Sequence, residues 1–292
     1  MDIEQTSISV SGETRLVLVI GHPTSQTKSP ALMSLRAAQA GSNTVFVPAD
    51  IHPADLGVTL EGLRQLRNLA GFVVTIPHKP TFLELVDEVS TAAKAVGAIN
   101  VVRVDPDGRW IADILDGEGF VRGLQAAGVD PTDRSVQIFG GGGAGAAVAY
   151  AIARAGAADV RISDIDEHKV AALVSRLSGS GIRTTFAAGA ESLPTADIVI
   201  NASPVGMHGK GEIPFDADLL EPRQVVAELV MEPAETSLLK AARAAGCKTV
   251  PGYATLNGQS EAMMEFLRLL PTDGGTAGIS ETSTRVSKEE NL

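Results

Sequence analysis

Residues 140–145, Gly-Gly-Gly-Gly-Ala-Gly, follow the apolar run Ser135-Val136-Gln137-Ile138-Phe139 and lead into an alanine-rich amphipathic stretch. A glycine turn joining a strand to a helix constrains the fold more than any other feature of the chain. Gly140, Gly142 and Gly145 fit the spacing G-x-G-x-x-G: one glycine makes the turn, one lets a pyrophosphate approach the backbone, and one lets helix pack on strand. Gly143 and Ala144 share the turn, where free amides and the positive helix end suit phosphates. After the next strand, Val160 to Ser163, stands Asp164, at the distance where an acid takes ribose hydroxyls. A plain glycine turn is the alternative; the order strand, helix, strand, acid favours a dinucleotide.

At 292 residues the chain is long enough for two domains. Hydrophobic residues at 44% and charged residues at 20% suit a soluble globular protein. A net charge of −11 repels phosphate backbones, so no nucleic-acid partner is expected, while local groups still bind small anions. One cysteine, Cys247, rules out an intrachain disulfide and fits a reducing cytoplasm. It reads most simply as a small apolar residue opening a strand. Asp2 and Glu4 precede any apolar run, unlike a signal peptide, and no apolar window approaches a membrane span, so no membrane is expected. The five histidines are scattered, so no metal site is expected.

Strands are expected over Arg15–Ile20, Val45–Pro48 and Gly71–Ile76, with helices over Pro30–Ala40, capped by Ser29, and Pro53–Leu69. That alternation implies a largely parallel sheet. Ala98–Val104 and Trp110–Ile114 flank the turn cluster Asp105-Pro106-Asp107-Gly108 and suggest a hairpin on it. A second rhythm follows, with strands near 135–139, 159–163, 184–187, 197–201, 225–229 and 247–250. The fold class is therefore α/β with two domains: an N-terminal α/β substrate domain over residues 1–118, completed by a helical segment at 252–270, and a doubly wound parallel dinucleotide-binding sheet over 119–251. The active site is expected in the cleft between them. Residues 271–292, with almost no apolar content, are expected to be a loose tail.

Five segments carry polar groups near strand ends, where parallel sheets place ligands. Gly21 to Pro30 is rich in hydroxyls that suit a carboxylate or simply cap the next helix. Val74 to Lys79 ends a strand with a lysine behind a proline turn; Lys79 is either a proton donor and acceptor or an ordinary surface lysine. Asp116 either holds that ammonium or serves as an N-cap. Gly97-Ala98-Ile99-Asn100 adds an amide that bridges hydroxyls or finishes a turn. Asn201 to Met207 leaves an apolar strand with small residues, which suits a flat nicotinamide ring or an ordinary exit turn.

In this order the segments resemble the shikimate/quinate dehydrogenase family, from residue 15 to about 270. The resemblance implies a Rossmann-type C-terminal domain and an NAD(P)-dependent oxidoreductase that transfers hydride reversibly between nicotinamide and a ring hydroxyl or ketone of shikimate, quinate or a related hydroxy acid. It makes Lys79 and Asp116 catalytic. Thr27 and Ser29 would bind the substrate carboxylate, and Thr75, Asn100 and Gln259 its ring. Asn201, Ser203, Val205, Met207 and Gly252 join the glycine loop and Asp164 in holding the cofactor. Val73, Ile114-Leu115 and Met231 depart from the family pattern, each removing a polar group, so a less hydroxylated acid is the alternative substrate. A non-catalytic nucleotide-binding sensor is the second alternative. Where relatives that prefer NADP carry an arginine for the 2′-phosphate, this chain has Ser163-Asp164-Ile165, whose carboxylate repels a phosphate; NAD is therefore expected over NADP. A homodimer is left open.

Overall fold

The computed structural model describes residues 8–25, 27, 29–209 and 211–270. The expected tail, 271–292, lies outside the described residues. Two six-stranded sheets follow one another along the chain.

The first sheet contains β1 (Arg15–Gly21), β2 (Thr44–Asp50), β3 (Leu69–Val74), β4 (Glu88–Val89), β5 (Val101–Val104) and β6 (Trp110–Asp113), in the order β2-β1-β3-β5-β6-β4. β1 pairs parallel with β2 and β3, whereas β5 runs antiparallel to both β3 and β6. β3 and β6 therefore point the same way across β5. The carboxyl ends of β1, β3 and β6 and the amino end of β5 share one edge of the sheet. β3 is buried at all six positions, which accounts for its unbroken run Leu-Ala-Gly-Phe-Val-Val.

α1 (Ser29–Gln39) begins one residue earlier than expected, so Ser29 stands inside its first turn. The helix expected over 53–69 is shorter: a 3-10 turn at Pro53–Asp55 precedes α2 (Leu56–Leu63), and Leu69 already belongs to β3. Gln65 to Asn68 offer no apolar face to prolong the helix, and the Asn68 carbonyl accepts from Leu16 N at 2.9 Å to start the sheet. β4 and α3 (Thr91–Val96) had no counterpart in the sequence expectations. α3 is capped by Ser90 Oγ, which accepts from Ala93 N at 3.0 Å.

The second sheet contains β7 (Ser135–Phe139), β8 (Asp159–Ser163), β9 (Thr185–Ala188), β10 (Ile198–Asn201), β11 (Val225–Glu228) and β12 (Lys248–Val250), in the order β12-β11-β10-β7-β8-β9. Every pairing in it is parallel. Counted from β7, this is the doubly wound order 3-2-1-4-5-6, whose direction switches between β7 and β10. α5 (Gly143–Arg154), α6 (Glu167–Ser178) and α7 (Ser237–Ala244) connect its strands.

α4 (Asp116–Ala126) and α8 (Gly252–Phe266) tie the sheets together. α6 adds a clamp: Arg176 donates to the carbonyls of Ala95 and Val96, at 2.7 and 2.9 Å, at the end of α3. Among the described residues no helix is long and apolar enough to cross a membrane.

Candidate active site

The shared edge of the first sheet gathers four polar side chains that are far apart in sequence. Lys79 follows a turn after β3 whose floor is His78, buried, with Nε2 2.8 Å from the carbonyl of Ile51. Asn100 stands just before β5, and Asp116 opens α4 just after β6. Lys79 Nζ donates to Asp116 Oδ2 at 2.5 Å, with the two side chains 21% and 11% exposed. Asn100 Nδ2 donates to Asp116 Oδ1 at 2.8 Å, and Asn100 Oδ1 accepts from Leu115 N at 2.8 Å. Gln259, from α8, also donates to Asp116 Oδ1. Leu115 occupies the N-cap position of α4, and Asp116 turns its carboxylate to these three donors rather than capping the helix.

Gln259 reaches Asp116 because α4 and α8 lack side chains where they cross. A Cβ on Gly123 would lie 2.9 Å from the carbonyl carbon of Ala254, and one on Gly117 would lie 2.6 Å from that of Ala147 on α5. The glycines of Asp116-Gly117-Glu118-Gly119 let α4 sit between two helices at main-chain distance. The resulting site has an ammonium fixed by a partly buried carboxylate, a geometry suited to exchanging a proton with a substrate oxygen.

Thr75, half-buried, follows β3 on the same face as Val73, and its N donates to the Ile20 carbonyl at 2.9 Å. Val73 and Leu115 are both buried in an apolar cluster with Met263 and Leu267 of the α8 region, so this wall of the site is apolar. Thr27 and Ser29 are half-buried in the loop after β1 and at the head of α1. That loop is anchored to the end of β2: Asp50 accepts from Thr24 N at 3.0 Å and lies 2.7 Å from His22 Nδ1. These bonds hold the exposed Asp50 carboxyl below its ordinary pKa, His22 acting most strongly. Asp50 escaped the sequence reading, and His22 and His78 lay within segments it singled out without being given a role, because single polar residues in loops carry no spacing signal.

On the second sheet, the glycine turn lies at the switch point. Gly140, with φ 110°, packs so closely on the next strand's exit that a Cβ there would lie 2.7 Å from the Ala202 carbonyl carbon. A Cβ on Gly145 would collide with the Gly140 carbonyl, whereas Cβ atoms on Gly142 and Gly143 would meet nothing within 4 Å. The turn is tight beneath and open above. Ala146 N makes the first helical bond, to the Gly142 carbonyl at 2.8 Å, so the preceding amides of α5, Ala144 included, have no intrahelical partner. The cradle fits a pyrophosphate. Asp164 Oδ2 accepts from Gly141 N at 2.7 Å, placing a carboxylate beside that cradle, and Asp166 and Glu167 line the same surface depression.

Asn201 and Ser203 shape the turn after β10 from within. Asn201 Oδ1 accepts from Ser203 N at 3.0 Å and from Ser203 Oγ at 2.6 Å, while its Nδ2 donates to the Val205 carbonyl at 3.0 Å. Val205 is half-buried and Met207 is 38% exposed, so they form the turn's outer surface. Gly252 opens α8 against the next loop, where a Cβ would lie 2.7 Å from the Val230 carbonyl carbon. Glu228, at the end of β11, was not singled out from sequence; only its burial distinguishes it from a surface acid.

Residues 19–102 match the model of the shikimate dehydrogenase substrate binding domain. A shikimate dehydrogenase (NADP(+)) of Rubrobacter xylanophilus is 40% identical over 247 residues, covering 83% of this chain and 87% of its own. Shikimate 5-dehydrogenase of Listeria monocytogenes, solved with shikimate and NAD, superposes with a TM-score of 0.83 at 29% identity, covering 91% of this chain and 95% of its own. The ligand-free 5-ketofructose reductase of a Gluconobacter species superposes with a TM-score of 0.81 at 28% identity, covering 87% and 92%.

Proposed function

The chain belongs to the shikimate dehydrogenase family, and from that premise we propose that it is an NAD(P)-dependent oxidoreductase of the shikimate dehydrogenase type, acting on a CH–OH group. The observation that carries this reading is the Lys79–Asp116 pair, 2.5 Å apart, braced by Asn100 and Gln259. A nicotinamide bound against the second sheet supplies the hydride chemistry. Lys79 gives or takes the hydroxyl proton of the substrate, and Asp116 holds the ammonium in place and accepts a bond from a neighbouring hydroxyl. Thr27 and Ser29 bind the carboxylate, while Thr75, Asn100 and Gln259 orient the ring. The substrate half spans 1–118 and 252–270 and the nucleotide half 119–251, with α4 running through their boundary. The single cysteine fits a cytoplasmic setting.

The pyrophosphate would lie over Gly140, Gly142, Gly143, Ala144 and Gly145, and the nicotinamide against the turn formed by Asn201, Ser203, Val205 and Met207, with Gly252 supporting it. NAD is preferred over NADP, although the Rubrobacter relative is named for NADP. Asp164, Asp166 and Glu167 line the surface where a 2′-phosphate would lie; His168 and Lys169 line it too, but Lys169 is paired with Asp166 at 3.2 Å, so the carboxylates oppose a phosphate there. A less hydroxylated acid is a second substrate reading, favoured by the buried apolar wall of Val73 and Leu115. Following NADH and NADPH absorbance with shikimate, quinate and simple cyclic hydroxy acids tests all of this. No turnover of any of them with either cofactor would overturn the enzyme assignment and favour a nucleotide-binding sensor.

A further inference from the structure

Glu228 closes β11 with its side chain buried, 1% exposed, at the register position beside Asn201 of β10. Both of its carboxylate oxygens lie 2.9 Å from Thr236 Oγ1. That hydroxyl also accepts from Leu239 N at 3.2 Å and so caps α7. Asn201, its register neighbour, interacts with the Glu228 carboxyl through its side chain and holds the carboxyl's pKa down. The loops that follow these two strands are joined again by backbone: Leu229 N donates to the Asn201 carbonyl at 3.0 Å and His208 N to the Glu232 carbonyl at 3.1 Å. Gly206 packs over Thr236, where a Cβ would lie 3.8 Å from the Thr236 Cβ. The carboxylate therefore lies under the 203–207 turn without forming its outer surface.

We propose that Glu228 is a positioning residue for the nicotinamide site, fixing the 203–207 turn through Asn201 and Thr236. The inference rests on the reading of that turn as the bed of the nicotinamide. An ionised carboxylate is acceptor-only, so it takes the Thr236 hydroxyl proton and keeps lone pairs for the Asn201 amide beside it. A glutamine offers one carbonyl oxygen and an amide NH2, so it accepts from one of those groups and turns a donor toward the other. Burial pushes the Glu228 carboxyl up to about 7, with the bonds from Thr236 and Asn201 opposing the rise. The groups facing it are Asn201 from β10 and Thr236 from the head of α7, neither of them charged. The turn is held best where Glu228 is ionised, above neutrality.

The test is Glu228→Gln, read by direct titration of NAD+ in a calorimeter, by cofactor KM against kcat, and by both across about pH 5.5 to 9. The expected result is a loss of cofactor affinity of about ten-fold at pH 8, larger than the change in kcat, and absence of the weakening of binding below neutrality that is expected of the parent. Cofactor affinity equal to the parent's at every pH would overturn the proposal, as would equal losses in cofactor affinity, substrate KM and kcat. Should Glu228→Gln fail to fold, Thr236→Val and Thr236→Ser carry the same test: valine must weaken cofactor binding and serine restore it. Val205→Glu, on the turn's outer surface, separates the two readings. If it leaves NAD+ binding intact, the nicotinamide bed itself is wrong; if it weakens binding while Glu228→Gln does not, only the positioning role fails.

Discussion

Gly119 and Gln259 meet main chain to main chain: a Cβ on Gly119 would lie 2.5 Å from the Cα of Gln259. The contact falls one helical turn after Asp116, and it brings the Gln259 amide onto the Asp116 carboxylate. The glycine thus sets a distance in the active site without lining it. Gly119→Ala forces α8 away from α4, at a cost of about 1–3 kcal/mol by overpacking. The expected outcome is a lower thermal midpoint together with a raised substrate KM, measured by calorimetry and steady-state kinetics; an unchanged KM would detach Gln259 from substrate binding.

Removing the amine separates chemistry from cofactor binding. Lys79→Ala is expected to lower kcat by a factor on the order of 10² to 10⁴, the usual contribution of a positioned acid or base. NAD+ affinity stays within about two-fold of the parent, because Lys79 touches the first sheet's edge and not the glycine cradle. Stopped-flow NADH absorbance and calorimetric titration check the two halves of this statement.

The glycine cradle was legible in the sequence because all its parts are local: Gly140 to Gly145 directly follow β7, and Asp164 directly follows β8. The Lys79–Asp116 pairing was not, since 37 residues separate them. Their meeting depends on β5 running antiparallel between β3 and β6, which brings both strand ends to one edge. Strand-end placement raised the pair only as one of two readings of Asp116, the other being an N-cap, and the resemblance chose between them. The approach of Gln259 likewise depends on a helix crossing that no local pattern encodes. The overlong helix expected over 53–69 failed for a tertiary reason, because pairing with β1 claims Leu69 for a strand.

Cofactor choice turns on Asp164, whose carboxylate bonds the glycine turn itself through Gly141 N. Asp164→Ser removes the charge that repels a 2′-phosphate and also one anchor of the turn. The ratio of kcat/KM for NAD to that for NADP is expected to fall by about ten-fold or more, chiefly through better use of NADP. A parent enzyme that already prefers NADP would refute the underlying electrostatic argument.

The buried acid beneath the nicotinamide turn also predicts how stability depends on pH. Glu228 has its carboxyl raised from the ordinary 4.5 to about 7, so between those values the folded chain holds a proton that the unfolded chain has released. Folding is favoured by this group below about pH 4.5, and the advantage is lost as pH rises to about 7, a change on the order of a few kcal/mol. Above neutrality the ionised carboxylate opposes folding while serving the turn. Glu228→Gln cannot titrate, so its stability relative to the parent must rise through that window and level off above it. Urea denaturation at pH 5, 6, 7 and 8, read by circular dichroism, measures the difference directly; a constant gap between variant and parent would mean that Glu228 does not titrate there.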